Sequence, residues 1–135
     1  MSFHQRSPST LVAGYDGSES AAAAVRWAAA HTGPEGRLVI VCAARPGTPA
    51  LVASAREQRA RAGLEALWME EDALVETDVQ LLVDTAPPAE ALCRAAKEAA
   101  AEGIVVGRHH AGPYNADTVR HLLHVSDLPV TVVPS

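Results

Sequence analysis

Two polar turns, one near each end of the chain, contain residue types that bind small polar ligands. The first is an Asp-Gly-Ser turn at residues 16–18, which follows an apolar run at residues 11–13. The second occupies residues 107–112 and holds an arginine and two histidines between glycines. Carboxylates and hydroxyls hydrogen-bond polar ligands, and cationic side chains bind anions. The two turns can form one site only if the fold brings them to the same place.

The elements that must position these turns alternate between strand and helix. Strands are predicted at residues 10–15, 37–43, 74–83, 103–106 and 129–134, and helices at residues 19–32, 50–71, 88–101 and 118–126. Such an alternation predicts an α/β fold, a single doubly wound domain with a parallel sheet and helices on both faces. The strand order stays open between 2-1-3-4-5 and 3-2-1-4-5. Ser18 is predicted to cap the first helix and Asp117 the last.

The two turns are expected to line one crevice. In an open parallel sheet, ligands sit beyond the carboxyl ends of the strands, at the point where the strand order reverses. Asp16 is either a ligand-facing carboxylate at that point or a turn former before Gly17. The basic residues 108–110 are either an anion site or a solvated basic turn.

Composition excludes several classes of protein. The chain has 135 residues, of which 48% are hydrophobic and only 4% aromatic, and its formal net charge is -5. A chain of this length and composition forms one domain, predicted at residues 10–135 after a flexible tail at 1–9. Few aromatic residues and a negative charge argue against nucleic-acid binding. No apolar run is long enough to span a membrane, and a cytoplasmic location is expected.

The cysteines and histidines are interpreted as structural or surface residues. Cys42 and Cys93 lie in apolar segments without metal-type spacing, so they are expected to be reduced core thiols. His121 and His124 stand three residues apart on a predicted helix and, with neighbouring polar residues, suggest a metal site. Surface polar groups are the favoured interpretation, and no metal is predicted.

Motifs of other α/β enzymes are missing from the sequence. The last predicted strand has no lysine, as a phosphoaspartate receiver domain would require, and no Gly-x4-Gly-Lys-[Ser/Thr] loop is present. A Gly-x-Ser-x-Gly nucleophile elbow is also missing. Ser18 lacks a general base in its own motif, although His109 or His110 across the crevice could serve as one. The chain is therefore predicted not to be an enzyme.

Several of these segments together resemble a universal stress protein domain over nearly the whole chain. The resemblance rests on the Asp-Gly-Ser turn and the strand before it, on the strands at 38–43 and 104–107, and on the closing Pro-Val-x-Val-Val at residues 129–133. It implies an α/β fold with strand order 3-2-1-4-5 and a frequent homodimer. In one branch of the family it also implies ATP bound in the crevice described above.

The chain departs from the pattern of the ATP-binding branch, Gly-x2-Gly-x9-Gly-[Ser/Thr]. Gly107 matches the first glycine, but His110 replaces the second, and Ala116-Asp117 replaces the final pair after a shorter loop. Phosphate loops use glycine conformations and a helix N-terminus, so these changes weaken the phosphate-binding half. Asp117 would place a carboxylate where the phosphate would sit. By resemblance, Asp16 faces the ribose or base and the backbone of Ala43 meets the adenine.

The sequence therefore predicts a non-catalytic universal stress protein with a weakened nucleotide crevice. ATP or AMP is the expected ligand, bound weakly if at all, and a homodimer through the C-terminal strand is the expected assembly. The first alternative is a family member that has lost nucleotide binding and acts through contacts with an unknown protein partner. The second is a weak nucleotide hydrolase. The candidate binding residues are Asp16, Gly17, Ser18, Ala43, Gly107, Arg108, His109, His110, Gly112, Asp117 and Thr118.

Overall fold

A computed structural model of the chain describes residues 9–43, 47–108 and 114–134. The strands are β1 (Thr10–Gly14), β2 (Arg37–Ala43), β3 (Asp78–Asp84), β4 (Gly103–Gly107) and β5 (Val130–Val133). The helices are α1 (Glu19–Thr32), α2 (Ala50–Glu70), α3 (Asp72–Glu76), α4 (Pro88–Glu98) and α5 (Ala116–Val125). Of the predicted tail at residues 1–9, only Ser9 lies within the described residues, and its carbonyl accepts a hydrogen bond from Arg37 N–H.

The five strands form one parallel sheet in the order β3-β2-β1-β4-β5. This order confirms the α/β fold and the order implied by the resemblance, and it rejects 2-1-3-4-5. The chain runs outward from β1 to β3 on one side and from β4 to β5 on the other. The order therefore reverses between β1 and β4, whose pairing joins Leu11 to Gly103 and Ala13 to Val105.

The predicted strand at 74–83 is wrong at its start. Residues 72–76 form the short helix α3, and the strand begins at Asp78. Leu74 is fully buried, and as an apolar residue it satisfies either a strand or a helix face. Thr77 ends the helix, with its side chain donating to the carbonyls of Ala73 and Gly33. The first three residues of the predicted strand, 74–76, thus belong to a helix that packs on α1.

Alternate residues of the central strands face two separate cores. On one face, α1, α2 and α3 cover Ala13, Leu38 and Ile40. On the other face, α4 and α5 cover Val12, Val39 and Ile104. This period-two alternation places Gly14 and Val41 on the α4/α5 side and Tyr15 on the opposite side. Because the side chains alternate, the position of a residue at the end of a strand decides whether it lies on the α1/α2/α3 side or on the α4/α5 side of the sheet.

Side-chain caps fix the starts of α1 and α5. Ser18 caps α1, as predicted, because its Oγ accepts the Ala21 N–H at 3.1 Å. The prediction that Asp117 caps the last helix is wrong: Asn115 is the cap, and its Oδ1 accepts the Thr118 N–H at 3.0 Å. Asp117 is the second residue of the helix. Among the described helices, none is long and apolar enough to cross a membrane.

Candidate functional site

The turn after β1 is built by local hydrogen bonds. Asp16 Oδ1 accepts the Ser18 N–H at 3.0 Å, and Gly17 has a φ of 88°, a conformation that favours glycine. The turn-forming role foreseen for Asp16 is thus observed. Asp16 is half-exposed. Whether it also faces a ligand stays a prediction.

The end of β4 is held against the start of α1. Ser20 Oγ donates to the Arg108 carbonyl, and Arg108 N–H donates to the Val133 carbonyl at 3.0 Å. A Cβ on Gly107 would lie 2.5 Å from the carbonyl carbon of Ser20. Only glycine fits this approach, which gives Gly107 a packing role that does not depend on any ligand. The Arg108 side chain is exposed.

The N-terminus of α5 contributes polar groups on the other side. Asp117 lies on the surface, with 88% of its side chain exposed, and its carboxylate is 3.4 Å from Arg120 Nη1. Thr118 is half-buried and bonds Asn115 through its backbone. His109, His110 and Gly112 lie outside the described residues. Within the described part of the chain, no three His, Cys, Asp or Glu side chains lie close enough together to hold a metal.

Tyr114, a residue that the sequence analysis does not single out, lies at the carboxyl ends of the central strands β1 and β2. Tyr114 is only 2% exposed and packs in the α4/α5 core. Its hydroxyl donates to the Val41 carbonyl at 2.5 Å. A Cβ on Gly14 would lie 2.8 Å from the ring, so the absent side chain at Gly14 makes room for the phenol. The ring therefore covers the carboxyl end of β1.

Electrostatics keep this phenol neutral. Burial raises the pKa of Tyr114 well above its usual range, and the carboxylates of Asp16 and Asp84 act in the same direction. A backbone hydrogen bond with Ala43 acts in the opposite direction. The hydroxyl remains a donor at neutral pH.

The thiol next to this edge is also protonated. Burial raises the pKa of Cys42, and the Glu57 carboxylate adds to the shift. Cys42 is buried, whereas Cys93, on α4, is only half-buried, and burial also raises its pKa. A raised pKa lowers the thiolate fraction, which makes both sulfurs poor nucleophiles.

The family model for the universal stress protein family matches residues 9–134. The chain belongs to the universal stress protein family. The match includes the segments that carry the resemblance: β1 with its turn, β2, α4 with β4, and the closing strand β5. The comparison with curated proteins gives no match.

Solved structures of universal stress proteins have the same fold. A family member from Burkholderia pseudomallei is 27% identical, with a TM-score of 0.70 over 95% of this chain and 97% of that one. A protein from Archaeoglobus fulgidus in complex with dAMP is 17% identical, with a TM-score of 0.68 over 94% and 98%. An Arabidopsis thaliana protein with AMP bound is 14% identical, with a TM-score of 0.64 over 94% and 92%.

The structure brings together only part of the predicted universal stress protein site. Asp16, Ala43 and Gly107 lie at the carboxyl ends of β1, β2 and β4, which are adjacent strands. Asp117 lies on the surface of α5, so its carboxylate is set toward solvent beside Arg120. Of the three basic residues predicted at 108–110, only Arg108 lies within the described residues. Of the eleven candidate residues, the structure therefore places Asp16, Ala43 and Gly107 at the ends of adjacent strands and sets Asp117 apart from them.

Proposed function

We propose that this universal stress protein is a non-catalytic binding module of the stress response, with a crevice for an adenine nucleoside monophosphate. The observation that carries the proposal is the strand order: Asp16, Ala43 and Gly107 lie at the carboxyl ends of the adjacent strands β1, β2 and β4, and the order reverses between β1 and β4. Two solved structures with the same fold, those of the Archaeoglobus fulgidus and Arabidopsis thaliana proteins, hold dAMP and AMP. Both ligands have a single phosphate, which is the size that a shortened phosphate loop can hold.

Equilibrium binding of AMP, ADP, ATP and cyclic AMP to the purified protein tests the proposal. A shortened loop that lacks two glycines of the ATP pattern offers few inward N–H groups to a triphosphate. We expect AMP to bind more tightly than ATP. Tight ATP binding would contradict the preference, and no binding by any of the four would contradict nucleotide binding itself.

Asp16 is the side chain whose removal should weaken AMP most directly. Replacing Asp16 with Ala deletes a carboxylate at the crevice, and we expect AMP to lose about 1–3 kcal/mol of binding free energy. Asp16→Asn is the matched control, because its oxygen can still accept the Ser18 N–H and keep the turn. Calorimetric titration of both variants measures the effect. Equal affinity in the parent and both variants would show that Asp16 serves only the turn.

A second candidate function is contact with a protein partner without any nucleotide. The observation that favours it is the Tyr114 ring, which fills space at the sheet edge where a ligand would lie. The same titrations decide between the two, because a family member that has lost its ligand would bind none of the four nucleotides.

We further propose that two copies of the chain pair through β5. This strand lies at the edge of the sheet and pairs only with β4. Ile104 N–H donates to the Pro129 carbonyl and Arg108 N–H to the Val133 carbonyl. Because alternate residues of a strand bond the same neighbour, the backbone groups of Val130 and Val132 point to the open edge. An antiparallel copy of β5 would satisfy them and close the β5 edge of both sheets.

Val132→Pro tests this interface without touching the β4 ladder. Proline removes the outward N–H of Val132, and a proline whose N–H site faces outward is tolerated in an edge strand. We expect the parent to sediment at about twice its chain mass of 14.1 kDa and the variant at the chain mass. Circular dichroism confirms that the variant stays folded. A monomeric parent at micromolar concentration would overturn the interface.

A further inference from the structure

The Tyr114 ring fills a defined space at the carboxyl edge of the sheet. It lies over Gly14 at the end of β1, on the α4/α5 side, and is 2% exposed. Its hydroxyl reaches across to the end of β2, where it donates to the Val41 carbonyl at 2.5 Å. This space adjoins the point where the strand order reverses between β1 and β4, which is where open parallel sheets bind ligands.

The Val41 carbonyl has no capacity left for a ligand while Tyr114 is in place. It accepts the Tyr15 N–H at 3.0 Å and the Tyr114 hydroxyl at 2.5 Å. A carbonyl oxygen has two lone pairs, so these two bonds use both. A ligand that donates to this carbonyl must first displace the phenol, because the Tyr15 bond continues the β1–β2 ladder.

The phenol ring of Tyr114 and a purine base share the two properties that matter at this site. Both are flat rings that bury apolar faces, and both present a hydrogen-bond donor at the rim to a backbone carbonyl. The space over Gly14 accepts such a ring only because that residue has no Cβ. The space over Gly14 thus fits a planar ring with a hydrogen-bond donor on its rim, whether that ring belongs to the chain or to a ligand.

We infer that the Tyr114 ring and the base of the bound nucleotide compete for this one space, so that Tyr114 sets the affinity of the crevice. The inference rests on the proposed function, since it concerns the same ligand. The crevice is closed when the ring is in and open when the ring is out. The apparent affinity is the affinity of the open state reduced by the fraction of molecules that are open.

The test compares AMP binding to the parent protein, Tyr114→Phe and Tyr114→Ala by calorimetric titration. Phenylalanine keeps the ring but loses the bond to Val41, which should raise AMP affinity by about fivefold. Alanine removes the competing ring, and affinity should rise at least about tenfold over the parent. Tyr15→Phe is the control: its side chain lies in the opposite core beside Gly63, and AMP affinity should not change.

A second measurement reads the ring directly and does not depend on a variant that loses a buried side chain. The chain has two tyrosines, so in Tyr15→Phe protein the only tyrosine ring signal in a ¹³C-labelled NMR sample belongs to Tyr114. At saturating AMP, this signal should move from its buried position to that of an exposed tyrosine.

The outcomes separate the inference from the proposed function. Rising affinity from parent to Phe to Ala, with a displaced ring signal, supports both. Equal affinity in all three proteins with an unmoved ring signal overturns the inference and leaves nucleotide binding standing. Weaker binding by the variants also overturns it, because the ring would then be part of the site. No binding of AMP by any of the proteins overturns both.

Discussion

Gly107→Ala is expected to lower the free energy of unfolding by about 3 kcal/mol, the upper end of the cost of overpacking. The new Cβ would lie 2.5 Å from the Ser20 carbonyl carbon and 2.7 Å from its Oγ. Ser20 belongs to the first turn of α1, so its backbone cannot move without shifting the helix. The Ser20 Oγ bond to the Arg108 carbonyl would be lost as well.

Gly103→Ala is the matched control for Gly107→Ala. Gly103 begins the same buried strand, but a Cβ there would approach no atom closer than the Pro129 carbonyl oxygen at 3.2 Å. We expect its unfolding free energy to stay within about 1 kcal/mol of the parent, because the small crowding is offset by the lower entropy of the unfolded chain. Urea unfolding of both variants measures the difference. Equal midpoints for the two would contradict the packing role of Gly107.

This packing role changes the meaning of the glycine motif. Gly107 matches the first glycine of the nucleotide pattern, yet the structure requires glycine there for the contact between β4 and α1. Gly107 does not have a positive φ. Among the described residues, the glycines with positive φ are Gly17, Gly33 and Gly47. A glycine at this position is therefore weak evidence of phosphate binding. Binding measurements on Asp16 variants are more informative about the ligand.

The order of strands and helices could be predicted because apolar runs and helix caps are local signals. Ser18 caps α1 as its residue type and position indicate. At α5, Asn115 and Asp117 are both good caps, and only the path of the chain decides between them. At α3, Leu74 is apolar and buried, which fits a strand or a helix equally. The strand order came from the family resemblance, since alternation alone does not determine it.

The centre of the site could not be predicted because it depends on a contact between distant residues. Tyr114 follows a polar segment of the sequence that contains glycine and proline, and a single aromatic residue there has no periodic pattern around it. A signal was present at Gly14, a glycine at the end of an otherwise apolar buried strand, where missing side-chain volume indicates a close approach. The sequence does not say which residue approaches. The structure identifies it as Tyr114.

A double-mutant cycle on Gly14 and Tyr114 tests whether the ring is fixed in the space over β1. Tyr114→Ala alone should cost about 3–5 kcal/mol of unfolding free energy, because it removes a buried aromatic side chain and its bond to Val41. Gly14→Ala in the parent should cost about 2 kcal/mol, because the Cβ would lie 2.8 Å from the ring. The ring is buried and cannot yield without breaking its hydrogen bond.

In the Tyr114→Ala background, Gly14→Ala should cost nothing and could stabilise by up to about 1 kcal/mol, since alanine reduces the entropy of the unfolded chain. The predicted coupling energy between the two positions is then about 2 kcal/mol. Urea unfolding of the four proteins provides the cycle, and Tyr15→Phe in place of the tyrosine variant is a control that should show no coupling to Gly14. Coupling below about 0.5 kcal/mol would mean that the ring leaves the space at little cost, and the crevice would then be open without a ligand.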